Sequence, residues 1–477
     1  MHHLFPPLSP AACSTLANLP RALDAVLPLN GAHRRDLPAA VAELSLQLTA
    51  ERSALSRPYW ASPRLTSAYL RYFLPWNIVR QARLLAALPL PTPTPRAGAQ
   101  GEEIPRLLAD MGSGPLTFAI ALWVARPEWR TLPLTVLCLD LSPHVMELGR
   151  ALFTELAGPA SPWRIVLRRG GVDTLARHVH ACSAAPWLIS AANVLNELKS
   201  QPSQERGDRL EDVLEQVASV LDAPDAQALL IEPGTRLGGK TVMRLRELAA
   251  EYGLAASSPC PHTGPCPLLE SRTWCHFTFD TQGAPAWLNK LSEAASLQKE
   301  ALSLSFALLR PQDSLPAAGG EQARIVSAPL RVPGLRGMGR YACTAHGLAL
   351  LEDAGHAPSG ALLAVNRPRQ CRVDGKSGAA IIPAGSHEGS TCRQTPERPD
   401  SSGTQQPGRP RPHGDDGEQR EHPYSRRQQP RPARHSRRQR APEQPREAPM
   451  SRREEDHAPA RGLPGQKRRA ARRSRKP

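Results

Sequence analysis

The chain of 477 residues is poor in aromatics, at 4 %, and carries only 9 cysteines. Several things it lacks narrow its chemistry. No apolar run approaches the ~20 residues needed to span a bilayer, so a soluble protein with no membrane partner is expected. No positively charged start leads into a long apolar stretch with a small-residue cleavage site. Nothing therefore routes the chain to an oxidising compartment where disulfides persist, and a cytoplasmic location is expected. The Gly-x-x-x-x-Gly-Lys-Ser/Thr signature is missing, which argues against a P-loop NTPase.

The scarce cysteines are unevenly placed. Cys13, Cys138, Cys182, Cys343, Cys371 and Cys392 are scattered singly, whereas Cys260, Cys266 and Cys275 fall within 16 residues, in the run Pro259-Cys260-Pro261-His262-Thr263-Gly264-Pro265-Cys266-Pro267 and then Trp274-Cys275-His276-Phe277. A cytosolic cysteine cluster reads first as a metal site. The segment is too rich in Pro and Gly for one helix, and a looped backbone can turn several thiolates toward one centre. Three local thiols leave a site one ligand short, and His262, His276 or a later Cys are the candidates. Zinc accepts three Cys and one His, whereas iron-sulfur clusters are usually held by four thiolates. The spacing matches neither a zinc ribbon nor the ferredoxin run. The bland alternative is a loop whose small thiols are simply buried.

Ahead of the thiols lies an α/β pattern. Arg106 to Met111 reads as an apolar strand entering a Gly-rich turn, Gly112-Ser113-Gly114-Pro115, followed by the helix-like Phe118 to Val124. An open α/β sheet builds its ligand crevice in this way, at the carboxyl ends of its strands. Gly112 and Gly114 let the backbone approach a ligand closely, and Asp110 can accept hydrogen bonds there. A second strand, Leu134 to Leu139, ends in Asp140, where an acidic side chain can hold ribose hydroxyls. Further strands are expected at Arg164 to Leu167, Trp187 to Ala191 and Ala228 to Ile231, with helices at Pro143 to Leu156, Arg209 to Leu221 and Lys240 to Tyr252. This alternation predicts a parallel, doubly wound sheet that binds a nucleoside cofactor.

The first 90 residues are expected to be mostly helical, with apolar residues at helical spacing over Leu37 to Leu48 and Thr66 to Leu88. Tyr69, Tyr72, Phe73 and Trp76 read as core rather than as a platform for bases, because they recur at that spacing with Leu70 and Leu74. A Pro/Thr/Gly linker at 91–104 separates this part from the sheet. Residues 367–477 hold 27 basic and 13 acidic side chains, nearly all of the chain's net +16, with Tyr424 as their one aromatic. Such a segment cannot bury enough apolar surface to fold, and a disordered tail is expected. Arg-rich segments of this kind bind RNA phosphates without sequence preference. Similar text also arises when a GC-rich gene is read out of frame.

Asp110-Met111-Gly112-Ser113-Gly114-Pro115, Glu232-Pro233-Gly234-Thr235, the Pro-Cys-Pro-His and Trp-Cys-His-Phe runs, and Arg324-Ile325-Val326 followed by Tyr341-Ala342-Cys343-Thr344 occur in one order. In this the chain resembles the methyltransferase-like small-ribosomal-subunit family, over about residues 40 to 365. The resemblance implies a Rossmann-like S-adenosylmethionine-dependent methyltransferase domain at 105–256, a Cys-rich cluster-binding segment at 257–300 and a small C-terminal β module at 301–366. It also implies Cys260, Cys266, Cys275 and Cys343 as ligands of a 4Fe-4S cluster, with zinc as the alternative. The methyl donor is placed near Asp110, Gly112, Gly114 and Asp140, with Asn193 and Glu197 lining the crevice as catalytic candidates. Where many relatives have a third glycine this chain has Leu116, whose side chain is expected to narrow the pocket.

The expected partners are small-subunit rRNA and the small ribosomal subunit. Ser190-Ala191-Ala192-Asn193-Val194-Leu195 has the amide of a base-methylating clamp without its Pro and aromatic, and Asn193, Asn196 and Glu197 equally read as a satisfied polar cap at a strand-to-helix turn. Cys138 reads as a strand core residue and Cys182 as incidental, since neither has the polar surroundings that activate a nucleophile. Two functions follow: an rRNA methyltransferase, or a non-catalytic rRNA-binding assembly factor stapled by its cluster.

Overall fold

The structure is a computed structural model and describes residues 3–49, 59–98, 100–195, 198, 206–221, 223–315 and 320–384. The amino-terminal part is helical: α1 (Pro10–Val26), α2 (Gly31–Thr49), α3 (Pro63–Ala68), a π-helical turn over Tyr69–Phe73, and α4 (Leu74–Leu85). Local chemistry sets the starts. Ser9 caps α1 and Ser62 caps α3 through their hydroxyls, and in each the next residue is a proline, whose missing N–H is no loss there. Buried Ala12, Leu16, Leu19 and Leu23 give α1 one apolar stripe. Arg83 of α4, 1 % exposed, donates to Phe5 O (2.6 Å), Asp280 Oδ1 (2.8 Å) and Gln282 O (3.0 Å), which ties the helices to the sheet domain.

The stretch expected as a linker carries a small hairpin, β1 (Arg96–Ala97) with β2 (Glu103–Ile104). Strands and helices then alternate: β3 (Arg106–Met111), α5 (Thr117–Ala125), β4 (Leu134–Asp140), α6 (Pro143–Ala157), β5 (Trp163–Arg169), α7 (Leu175–His180), β6 (Ala185–Ala192), α8 (Arg206–Ala218), β7 (Gln227–Pro233) and α9 (Arg236–Leu248). They lead into β8 (Leu254–Ser258), β9 (Phe277–Asp280), α10 (Ala286–Ala294) and β10 (Ala301–Pro311). The sheet order is β5-β4-β3-β6-β7-β10-β8, with β9 paired to the start of β10. Strands β3 to β7 are parallel, as the alternation implies. Period-two patterning divides the strand residues between two cores: Leu108, Val136 and Leu188 face one side, Leu107, Ala109, Leu137 and Ile189 the other.

Two boundaries differ from the sequence expectation. Strand β10, expected to open the small module, instead lies antiparallel between β7 and β8 and closes the central sheet. Its Leu304–Leu309 stretch is buried throughout and apolar except for Ser305, as a strand inside the sheet requires. The small module consists of β11 (Gln322–Ile325), β12 (Arg340–Thr344), β13 (Gly347–Glu352), β14 (Leu362–Ala364) and β15 (Ala380–Pro383), in the order β14-β11-β12-β13-β15. Its last strand falls in the segment expected to be unfolded from 367. There Ala380, Ile381 and Ile382 supply the apolar residues to pair in parallel with β13, and Asp374 accepts from Tyr341 Oη (3.0 Å). The rest of the expected tail, from 385, lies outside the described residues. Among the described residues no helix is long and apolar enough to cross a membrane.

Candidate functional site

Strand β3 has β4 on one side and β6 on the other, so the chain order reverses around it, and the carboxyl ends of β3 and β6 form the switch point at which open α/β sheets place a ligand crevice. The turn after β3 is held in the left-handed region at Gly112 (φ 66°) and Gly114 (φ 49°). A Cβ on Gly112 would meet Val194 Cγ2 at 2.4 Å, so only glycine fits beneath that side chain. Helix α6 presses on the same turn through Gly149, where an added Cβ would lie 2.4 Å from the Pro115 carbonyl carbon.

Asp140, at the tip of β4, accepts from Gly114 N–H (2.9 Å) with Oδ2 and from Ser142 N–H (2.8 Å) with Oδ1. It therefore positions the glycine turn, and each oxygen keeps one further acceptor site. Asp110 is 1 % exposed; its Oδ1 accepts from Ser190 Oγ (2.7 Å), while Oδ2 is buried with no partner. Burial pushes its carboxyl up to about 7, against the pull of the Ser190 and Ser113 hydroxyls. Asn193 sits at φ 62°, donates its N–H to Ile231 O (2.8 Å), and buries Oδ1 without a partner. Its side chain therefore caps no backbone group among the described residues. Asp110, Gly112, Gly114 and Asp140 are brought together, and Val194 places Asn193 beside them; Glu197 and Asn196 lie outside the described residues.

Leu116 corrects its expectation. It adopts φ 58° ahead of α5, and its side chain is fully buried in the core, so it does not narrow the crevice. Cys138 is likewise core, its thiol pushed well up by burial and then by Asp110. Two residues that the sequence showed only inside longer motifs take a role at the site. Ser190 is visible only as the register partner of Asp110, and Glu232, 0 % exposed, accepts from Leu195 N–H (2.8 Å) to fix the loop after β6.

The thiols form a second constellation. Cys260 and Cys266 lie on the loop after β8, Cys275 just before β9, and Cys343 on β12 of the module. Burial raises the thiols of Cys266, Cys275 and Cys343, and the charges of the four cysteines reach one another in every pairing. The loop is held by its neighbours: Cys266 N–H donates to Glu247 Oε1 (2.6 Å), Cys275 N–H to Met243 Sδ (3.1 Å), and Lys240 Nζ to Leu268 O (3.0 Å) and Ser271 O (2.8 Å). Arg324 Nε donates to Pro259 O (2.7 Å) from β11, and Arg246 donates to His262 O (3.1 Å) and Gly264 O. Both guanidiniums interact with the Cys260 charge. Of the two histidines considered as ligands, His262 Nε2 lies 3.2 Å from Cys343 Sγ, whereas His276 stacks on Trp274. Among the described residues no group of three or more His, Cys, Asp and Glu side chains is arranged to hold a metal ion.

A family model described as mitochondrial small ribosomal subunit Rsm22 matches residues 96–334, a span that takes in the crevice and three of the four thiols and stops short of Cys343. Among solved structures, the chain is similar to the SAM dependent methyltransferase from Agrobacterium tumefaciens (12 % identity, 50 % of this chain and 62 % of that one, TM-score 0.28). It is also similar to TrmN from Thermus thermophilus (16 %, 51 % and 53 %, 0.26). A third is the rRNA methyltransferase aviRa from Streptomyces viridochromogenes (13 %, 52 % and 88 %, 0.26). This chain thus spans less than two thirds of the length of the Agrobacterium protein. No curated protein matches it.

Proposed function

The chain belongs to the mitochondrial small ribosomal subunit Rsm22 family, and on that premise we propose that it is a methyltransferase-like protein that binds S-adenosylmethionine and acts on the small ribosomal subunit, through its rRNA or in its assembly and translation. The observation that carries the reading is the crevice: a glycine turn with two residues at positive φ, and two buried acceptor atoms, Asp110 Oδ2 and Asn193 Oδ1, that the fold leaves without donors. Buried acceptors are seldom left unmade, and a ligand bearing hydroxyl and ammonium groups suits them. Asp110, Gly112, Gly114 and Asp140 are the residues that would hold the donor, Asp140 through its remaining acceptor sites.

When bound, S-adenosylmethionine supplies an electrophilic methyl group. The chain's own contribution is position and exclusion. Asp110 holds a proton near neutral pH and would release it against a cationic group. Ser190 fixes the Asp110 carboxyl, and Glu232 holds Leu195, two residues beyond Asn193; Asn193 and Glu197 are the candidates for engaging a target amine. Methyl transfer to small-subunit rRNA isolated from cells lacking the protein, compared for wild type and Asp110→Asn, tests the catalytic form. Normal rRNA methylation with impaired subunit assembly in the variant would favour the second form, an assembly factor that uses the frame as an rRNA-binding scaffold. That form is supported by the missing Pro and aromatic after Asn193.

We also propose that Cys260, Cys266, Cys275 and Cys343 hold a 4Fe-4S cluster. Support comes from the mutual reach of all four thiols and from the two guanidiniums that would offset thiolate charge. The cluster would staple the β module to the sheet domain. Anaerobic purification with iron, sulfide and zinc analysis decides between the metals: a broad absorbance near ~400 nm lost in Cys343→Ser supports the cluster, whereas stoichiometric zinc or indifference to Cys343 overturns it. Small-subunit rRNA is the proposed partner, and the cytoplasm the proposed location.

A further inference from the structure

One face of the π-helical turn and α4 carries Tyr72, Trp76 and Arg80 at four-residue steps, and two cations without acids gather on it. Lys299 Nζ lies 5.9 Å from the ring centroids of both Tyr72 and Trp76. Arg80, one turn further along the same face, donates NH1 to Asn77 Oδ1 (3.1 Å), and its Nε is sealed from solvent with no acceptor. Among the described residues neither cation has a carboxylate within ion-pair distance. Burial and then Arg80 hold the Lys299 ammonium down, and burial takes Arg80 to about 10. Ring faces attract single cations, but Arg80 disfavours the Lys299 charge, and the Tyr69 phenol favours that of Arg80 without being a carboxylate.

Three further observations bear on what would supply a negative charge. The helix beneath the cations includes the π-helical turn, a rare geometry that concentrates at functional sites. Lys299 lies two residues ahead of β10, where Leu304 is opposite Pro233 at the end of β7, so Lys299 lies toward the carboxyl ends of the parallel strands. Tyr72 and Trp76 are core, at 1 % and 2 % exposed, whereas Tyr69 and Phe73, stacked at 5.8 Å and 26° with Trp60 against Tyr69 and Tyr72 edge-on to Phe73, are only partly buried.

We propose that Arg80 and Lys299 form an anion site that takes a phosphate group of an RNA strand entering the crevice, with the Tyr69–Phe73 pair offering a ring face to the adjoining base. The site rests on the reading of the chain as an rRNA-directed protein. A phosphate with an aromatic base attached is the chemistry recognised; its source is an RNA chain or a free nucleotide.

The sign of the effect on stability separates this site from a structural one. Lys299→Met keeps the stem over Tyr72 and Trp76 and removes a charge that repels Arg80, so the full-length variant should melt no lower than wild type. Its affinity for a small-subunit rRNA fragment should fall roughly five- to tenfold, with the slope of log K against log salt reduced by about 0.7 to 0.9. Arg80→Gln is the second variant and should show the same loss of affinity and slope. Wild-type affinity and slope in both variants, or a lower melting temperature for Lys299→Met with binding unchanged, overturns the site while leaving the rRNA reading intact. Failure of the wild-type chain to bind the fragment removes both. Adenosine monophosphate that raises the melting temperature of wild type but not of Lys299→Met, with RNA affinity equal in the two, overturns RNA in favour of a free nucleotide.

Discussion

The glycine-turn crevice and the thiol constellation are built in opposite ways. The crevice is local: Asp110 to Pro115 is one contiguous turn, its second wall is the tip of the neighbouring strand, and most of its polar groups are already paired, with Asp140 spending both oxygens on backbone N–H groups. The thiol site is assembled from two domains, with three cysteines on loops around the sheet and the fourth on β12 of the module. Its charges oppose one another, with the guanidiniums of Arg246 and Arg324 beside them. A frame fixed by its own backbone hydrogen bonds, with only Asp110 Oδ2 and Asn193 Oδ1 left over, stands without its ligand, whereas the proposed thiolate site would depend on its occupant.

The largest expected effect follows from that dependence. If the cluster is the staple between module and sheet, removing it from anaerobically prepared protein with chelator and oxidant should cost at least about 4 kcal/mol, a fall of roughly 10 °C in melting temperature. Cys343→Ser should melt at the same lowered temperature and be insensitive to chelation. Equal melting curves before and after chelation would erase the contrast between the two sites.

A smaller effect belongs to the crevice alone and depends on pH. The folded-state pKa of Asp110, about 7, lies above its ordinary 3.8. The folded chain therefore holds this proton more tightly than the unfolded one, and the associated stability is full below pH ~4, declining as pH rises to about 7. Asp110→Asn cannot ionise, and its Oδ1 can still accept from Ser190. Its stability relative to wild type should climb between pH 4 and 7 by up to a few kcal/mol and then stay level. Urea melts at pH 4, 5.5, 7 and 8.5 measure this; a difference independent of pH would show that Asp110 is ionised throughout.

Much of the crevice was legible because it is contiguous. The strand, the paired glycines and the acid at the next strand tip are each one-dimensional patterns with one physical reading. Three thiols were legible for the same reason, but the fourth came only through family resemblance, because nothing in local spacing links Cys343 to Cys275. Strand β10 was assigned to the module since an apolar strand reads alike whether it closes one sheet or opens another; the choice is made by the wedge between β7 and β8. Strand β15 was hidden by its Arg- and Pro-rich flanks. Leu116 was read as crevice because it stands where a third glycine would; its left-handed φ instead turns the side chain into the core. Arg80 and Lys299 belong to distant segments and carry no motif at all.

Packing offers a third test. Gly149→Ala would drive a methyl group into the Pro115 backbone, which cannot yield as a flexible side chain can. The expected loss is about 1–3 kcal/mol in a urea melt, with weaker S-adenosylmethionine binding by calorimetry and an unchanged cluster absorbance. Loss of the absorbance as well would mean that the two sites share one cooperative unit.

The smallest effect should fall on the thiol side. Thr235 caps α9 through Gly238 N–H (3.2 Å), and α9 carries Lys240, Met243, Arg246 and Glu247, all of which touch the cysteine loop. Thr235→Ala removes the cap at a cost of about 1 kcal/mol, too little to unfold the domain. Because the helix positions the loop from one side only, the loosened first turn should speed oxidative loss of the cluster severalfold while leaving S-adenosylmethionine affinity at the wild-type value. Absorbance decay in air against calorimetry on the same preparation gives both quantities. Equal losses at both sites would place α9 in the crevice as well, and the division between a self-supporting frame and an occupant-dependent site would no longer follow the elements that build them.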